Sequence, residues 1–349
     1  MFLEQSYIPC VEFSKNANIM KRKITYLFLL AMISTVVSAS GPMYSQYMFN
    51  RFLINPADAG SEGYTSINVT AREQWIGIPN SPKTHLISFQ TRLLRNSFVS
   101  KSSSLRKKFA RRSRNGKVGV GAFLYNDMNG PVSRNGLQLT YAYHITMAQN
   151  LLSFGLTTKG YQYSIDRSKL KTAQANDDFI NTTDFSNFVP DANFGAQYIN
   201  PFYHVGFSIN DLFQSSFKFG EGTMPDAQTR RLYNLTGSYK FEINRFYMLE
   251  PDALIKLSEN GAFQLDLSGK VYYKEDYWGG MSYRTGTFSN SEAGALIIFG
   301  GVRVDKFYFG YAFDYTLSNI MTHTLGSHEF MLSVKFGDNA RRYRWLNRY

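Results

Sequence analysis

The sequence of 349 residues holds one cysteine, Cys10. A lone thiol excludes an intrachain disulfide and a thiolate metal cluster. It sits in a prefix, residues 1–19, ahead of a more natural start at Met20, and Tyr7-Ile8-Pro9-Cys10 lacks the preceding apolar run of a lipid-anchored cysteine. Long apolar runs are also scarce. A membrane-crossing helix needs about 18 such residues, and the longest stretch, Ile24 to Val37, is too short. It suits the h-region of an export signal, with Lys21, Arg22 and Lys23 before it and Val37-Ser38-Ala39 as a small-residue cleavage site. Residues 1–19 therefore read as an over-long gene start and 20–39 as a signal peptide cleaved near Ala39.

Recognisable reaction centres are missing as well. His85, His144, His204, His323 and His328 show no close metal-ligand spacing, and His323 and His328 lack a third ligand nearby in sequence. No Ser or Asp is placed beside a histidine in a way that marks a nucleophile. Asn126-Asp127-Met128-Asn129-Gly130-Pro131 carries oxygen ligands but no terminal bidentate glutamate, so it reads as a turn. No catalytic, cofactor-binding or metal residue is assigned, and no cofactor is expected.

The formal charge of +12 is concentrated rather than spread. Lys101, Arg106, Lys107, Lys108, Arg111, Arg112 and Arg114 lie in one stretch without an acid, and Arg341, Arg342, Arg344 and Arg348 lie in another. The rest of the exported chain is close to neutral. Nucleic acid is not expected as a partner in an exported protein despite the basic balance.

What is abundant is aromatic residues, with 29 Phe and 24 Tyr, and strict alternation. Leu137, Leu139, Tyr141, Tyr143 and Ile145 alternate with Gln138, Thr140, Ala142 and His144. Val118 to Leu124, Tyr203 to Ile209 and Phe330 to Phe336 repeat the pattern. Such segments of about ten residues are the signature of a transmembrane β-barrel. About 14 antiparallel segments are expected within residues 64–337, beginning near 64, 84, 117, 136, 151, 191, 202, 231, 246, 262, 276, 292, 306 and 328. Every second connection is short, except the one carrying Lys101 to Arg114, which fits periplasmic turns alternating with longer outer loops. Aromatic residues crowd the short turns as an interfacial girdle would: Tyr141, Tyr143, Tyr198, Phe202, Tyr203, Phe246, Tyr247, Tyr272, Tyr273, Tyr277, Trp278, Phe307 and Tyr308. A soluble sandwich or propeller would explain neither the loop parity nor the girdle.

Ahead of the first strand, Tyr44, Tyr47, Met48, Phe52 and Leu53 are spaced for one or two amphipathic helical turns, which Asn55-Pro56 ends. Residues 40–63 are expected as a periplasmic segment at the barrel mouth, with Tyr47, Phe49 and Phe52 tucked into or across the opening. Glu250, Asp252, Lys256, Gln264, Asp266 and Lys270 are expected to face the lumen and to be paired there.

With the segments laid out, the chain resembles the PorP/SprF family of type IX secretion outer-membrane proteins from Bacteroidetes. The resemblance is carried by Tyr44-Ser-Gln-Tyr-Met-Phe-Asn50 with Asn55-Pro56-Ala57, by Arg72-Glu-Gln-Trp-Ile-Gly77 with Pro82-Lys83-Thr84, and by Asn126-Asp127 with Gly130-Pro131. Tyr141-Ala-Tyr-His144, Tyr277-Trp278-Gly279, and Gly310 to Asn319 with Gly326-Ser-His-Glu329 continue it in order. The resemblance implies a non-enzymatic barrel of the outer membrane that anchors or passes on a secreted client. It also implies docking to the periplasmic ring and peptidoglycan-binding proteins of the secretion machinery, in gliding motility or virulence factor export. The basic stretch 101–114 is longer than the family pattern and a basic tail, 338–349, follows the last strand; from their charge and the loop parity both are expected as a periplasmic docking surface. A porin-like small-solute channel, and less so a barrel enzyme, are the alternatives.

Overall fold

The computed structural model describes residues 43–93, 117–147, 150–166, 169, 186–217, 227–274, 276–286 and 294–336. The expected gene-start prefix, signal peptide, basic stretch from Lys101 to Arg114 and carboxyl tail lie outside the described residues. Among the described residues, no helix is long and apolar enough to cross a membrane.

Fourteen antiparallel strands close into a barrel. They are β1 (Thr65–Glu73), β2 (Lys83–Leu93), β3 (Val118–Asn129), β4 (Val132–Met147), β5 (Asn150–Ile165), β6 (Ser186–Ile199) and β7 (Tyr203–Asn210). The second half comprises β8 (Leu232–Tyr239), β9 (Tyr247–Ser258), β10 (Phe263–Tyr273), β11 (Tyr277–Arg284), β12 (Ala295–Val304), β13 (Phe307–Thr316) and β14 (Ser327–Phe336). Each strand pairs with its neighbours in sequence, and β1 closes the ring on β14 with Thr65 opposite Phe336 and Glu73 opposite His328. Closure leaves no open sheet edge, as a bilayer demands. The rim where β1 begins and β14 ends is here the proximal rim, and the other is the distal rim.

Alternation decides which side each residue faces. Along β4, Leu137, Leu139, Tyr141, Tyr143 and Ile145 are exposed on the outer wall, while Thr140, Ala142 and His144 are buried inside. The strands begin close to where alternation starts, with the largest offsets at β4 and β6. Those two strands run past the lipid-facing belt at the distal rim. There the outward positions of β4 are Ser133 and Asn135, so apolar alternation fades before hydrogen bonding does.

The aromatic girdle needs correcting. Tyr141, Tyr143, Tyr203, Phe246, Tyr247, Tyr277 and Phe307 are exposed, as a girdle requires, but Tyr272, Trp278 and Tyr308 are buried in the lumen. A period of two cannot place both members of Tyr272-Tyr273, Tyr277-Trp278 or Phe307-Tyr308 on one face. The inward members cluster with Met248 and Met331 instead.

Candidate functional site

The lumen is the candidate site, because the chain ahead of β1 occupies it. Residues 47–58 form three short 3-10 turns, Tyr47–Phe49, Arg51–Leu53 and Pro56–Asp58, in place of the continuous helical turns expected from their spacing. Asn55 caps the third turn by accepting from the Ala57 amide at 2.9 Å, and Pro56 supplies a fixed φ where no N–H is needed. An α-helix would present one stripe to one wall. The broken turns let successive side chains reach different walls.

The segment begins at the distal rim. The amides of Ser45 and Gln46 donate to the two carboxylate oxygens of Glu329, at 2.7 and 2.8 Å. The Ser45 hydroxyl donates to Asp314 and accepts from Arg72, and the Arg284 guanidinium donates to the Tyr44 carbonyl at 3.0 Å. These side chains form one buried network: Arg72 lies 2.8 Å from Asp314 and 3.5 Å from Glu329, and Arg284 lies 3.0 Å from Asp266. Charges kept from water need such partners, and losing one partner is costly.

Midway, the Tyr47 hydroxyl donates to Asp252 at 3.0 Å, and Asn50 donates to Ser88 at 2.9 Å. Phe49 lies between Trp278 and Phe299, at ring distances of 5.3 and 6.0 Å, with the Lys270 ammonium 5.5 Å above its ring. Glu250 lies between Lys270 and Arg51, at 3.4 and 3.7 Å. Phe52, 2% exposed, meets Phe123 edge-on at 5.6 Å. Thus Tyr47, Phe49 and Phe52 each contact a different part of the wall. Glu250, Asp252, Gln264, Asp266 and Lys270 all face inward and are buried, and Lys256 shares their face of β9.

At the proximal rim the chemistry changes from charge to fit. Ser208 donates to the Ile54 carbonyl, Gln197 to the Ala57 carbonyl, and the His144 ring pairs with the Ala59 carbonyl, at 2.8, 2.8 and 2.9 Å. The Gly60 amide donates to Gln90 at 3.1 Å. A Cβ at Gly119 would fall on the Ala59 carbonyl, one at Gly155 on Pro56, and one at Gly195 on the Asn55 side chain. These strand glycines are the groove in which the segment lies, a signal that sequence periodicity does not carry. Gly60 and Gly63, both at positive φ, then turn the chain into β1. The segment was expected at the mouth on this side. Gly60 lies there, and the residues before it fill the lumen up to the distal rim.

At the same rim, just past β8, Lys240 is half-buried, and burial pushes its amine down to about 8 against the pull of Glu250. His204 pairs with Gln197, and His328 with Tyr311. Among the described residues, no group of three or more His, Cys, Asp or Glu side chains is disposed to hold a metal ion. The eleven basic residues expected to form a docking surface lie outside the described residues.

A closed barrel with a buried amino-terminal segment and the residue blocks noted above matches one family along most of its length. The family model for type IX secretion system membrane protein PorP/SprF covers residues 36–334. The chain belongs to the PorP/SprF family. Among curated proteins none matches the sequence. Solved structures similar to this PorP/SprF barrel include the CymD monoaromatic hydrocarbon channel, 11% identical over 86% of this chain and 94% of that one, with a TM-score of 0.44. A TodX deltaS2S3 mutant monoaromatic hydrocarbon channel is 11% identical over 82% and 93%, with a TM-score of 0.42. The KdgM porin is 6% identical over 78% and 98%, with a TM-score of 0.34. Likenesses this distant assign neither ligand nor activity to the PorP/SprF chain.

At the distal rim, the first and last outer connections are tied together. Ile76 donates to the Gly326 carbonyl and Leu325 to the Ile76 carbonyl, at 2.9 and 2.8 Å, and Trp75 reaches Thr316 through its indole nitrogen. On the opposite side of the ring, Asp191 shapes the β7–β8 connection by accepting from the amides of Ala192 and Phe213. The β13–β14 and β7–β8 connections present large apolar side chains to the outside, Leu325 at 72% and Phe213 at 69% exposure.

Proposed function

We infer that this PorP/SprF barrel works as a closed anchor in the outer membrane rather than as a solute channel. In this reading its distal loops hold or pass on a secreted client, and its proximal face docks periplasmic machinery. The observation that carries the reading is the filled lumen. Residues 44–60 run from one rim to the other, fixed to at least six strands, and two cavities beside them measure about 50 and 20 Å3. Tyr47, Phe49 and Phe52 are the plug side chains in this account. A porin-like conduit would need a continuous polar opening.

The distal face offers the client exposed apolar side chains, Phe213 and Leu325, on loops held by backbone hydrogen bonds. The proximal face has a different resource. β2 ends, β3 begins and β14 ends at that rim, so the connection carrying Lys101, Arg106, Lys107, Lys108, Arg111, Arg112 and Arg114 is attached there. The tail with Arg341, Arg342, Arg344 and Arg348 follows β14 at the same rim. Clustered charge of one sign attracts an anionic partner over distance. The ring and peptidoglycan-binding proteins of the pathway, or the cell wall itself, are the partners proposed for it.

Two measurements test this reading. Affinity isolation from native outer membrane should recover periplasmic machinery with the barrel, and glutamine at the seven basic positions of 101–114 should reduce that recovery several-fold. Unchanged recovery overturns the docking role. Purified protein in a planar bilayer should show no steady current, and a steady one overturns the plug.

A further inference from the structure

Residues 44–60 are held through their side chains and through their main chain, and the main-chain contacts come from all round the barrel. Glu329 takes the amides of residues 45 and 46, Arg284 the carbonyl of 44, and Ser208 that of 54. Gln197 takes the carbonyl of 57, the His144 ring that of 59, and Gln90 the amide of 60. Six side chains from six strands, β14, β11, β7, β6, β4 and β2, thus grip groups that every polypeptide carries. Gly119 of β3 and Gly155 of β5 leave space for the segment's backbone, and Gly195 of β6 leaves space for the Asn55 side chain.

The segment is buried, but its polar groups are not all satisfied. Buried oxygens of Gln46, Asn50 and Asp58 have no hydrogen-bond partner. Small cavities flank it at both ends, one beside Met43 and Trp75 and one between Phe52, Asp58 and Tyr64. It is joined to the described barrel at its carboxyl end through Gly60 and Gly63, both at positive φ, at the proximal rim.

We propose that the lumen is a polypeptide-binding track, with residues 44–60 as its resident occupant. The segment swings out at the proximal rim, and the vacated track accepts an extended chain by its main chain. The inference rests on the secretion reading only in naming the incoming chain as part of a secreted protein. Selection by the track is weak in sequence and strong in form: an unfolded stretch enters and a folded domain does not.

The test uses the full chain in a planar bilayer, with a synthetic peptide of residues 43–61 as probe. Asn50 donates to Ser88 across the lumen, so Asn50→Cys with Ser88→Cys places two thiols together in a chain whose only other cysteine is Cys10. Wild type should show brief openings. The oxidised double variant should show at least tenfold fewer, with wild-type frequency returning under reductant. Micromolar to millimolar peptide on the proximal side should shorten each wild-type opening in proportion to its concentration. Equal opening frequency in the oxidised and reduced double variant overturns the displaceable segment. Open times indifferent to peptide overturn the track. Neither outcome touches the co-purification test of secretion partnership, so the two readings fail separately.

Discussion

The two ends of the lumenal segment are held by different means, and the contrast separates what charge does from what shape does. At the distal rim, Ser45 and Gln46 sit on a buried network of Arg72, Arg284, Asp266, Asp314 and Glu329, each closer than 4 Å to an opposite charge. At the proximal rim, residues 54–60 lie on glycines and neutral hydrogen-bonding side chains. Charge networks fix a chain in one place but fail badly when one member is lost. A contoured groove fails by degrees, because its contacts are many and individually small.

The strongest way to break the contrast is Arg72→Met. It leaves Glu329 without its cation and takes one from Asp314, and should cost about 3–5 kcal/mol. Denaturant unfolding in detergent measures the loss. Limited proteolysis should then cut near Ser45 while residues 55–60 stay protected. Gly155→Val attacks the other end by forcing a side chain onto Pro56, at about 1–3 kcal/mol. Its proteolytic pattern should be the reverse, with early cleavage between 54 and 61.

Tyr47→Phe lies between the two regions. It removes only the hydroxyl that meets Asp252 and should cost about 1 kcal/mol, with no change in the cleavage pattern at either end.

The remaining effect is graded with pH and belongs to the proximal rim alone. Lys240 faces Glu250, Arg51, Lys270 and Glu62, and titrates at about 8 in the folded chain, against about 10.4 when unfolded. Between those values the unfolded chain holds a proton that the folded one has released. Stability should therefore rise as pH climbs from 8 toward 10.5, and Lys240 should add no slope below 8. Comparing melting curves of wild type and Lys240→Gln isolates the effect, which the variant should lack.

The barrel was largely legible from period-two alternation, because lipid imposes one polarity on every outward residue. Leu137 to Ile145 declare a strand without any knowledge of β3 or β5. The lumen was legible only in part. Glu250, Asp252 and Lys270 stand out as charges on an inward face, but Glu329 and Asp314 reach their partners across about 270–280 residues of sequence. No local pattern encodes that. The same holds for Gly119, Gly155 and Gly195, whose role depends on a segment passing beneath them. Trp278 and Tyr308 were misplaced because a run of two aromatics says that one ring faces inward without saying which.

The pairing of Ser45 with Glu329, 284 residues apart, bears on biogenesis. The residues that seat the front of the described chain, Asp314 and Glu329, lie on its last two strands. A chain cut short before β13 would lose both carboxylates that seat Ser45 and Gln46, and its amino-terminal segment would be more open to periplasmic proteases. Occupancy of the lumen is thus a report of completeness: the front of the segment finds its full set of partners in a barrel that has its last two strands.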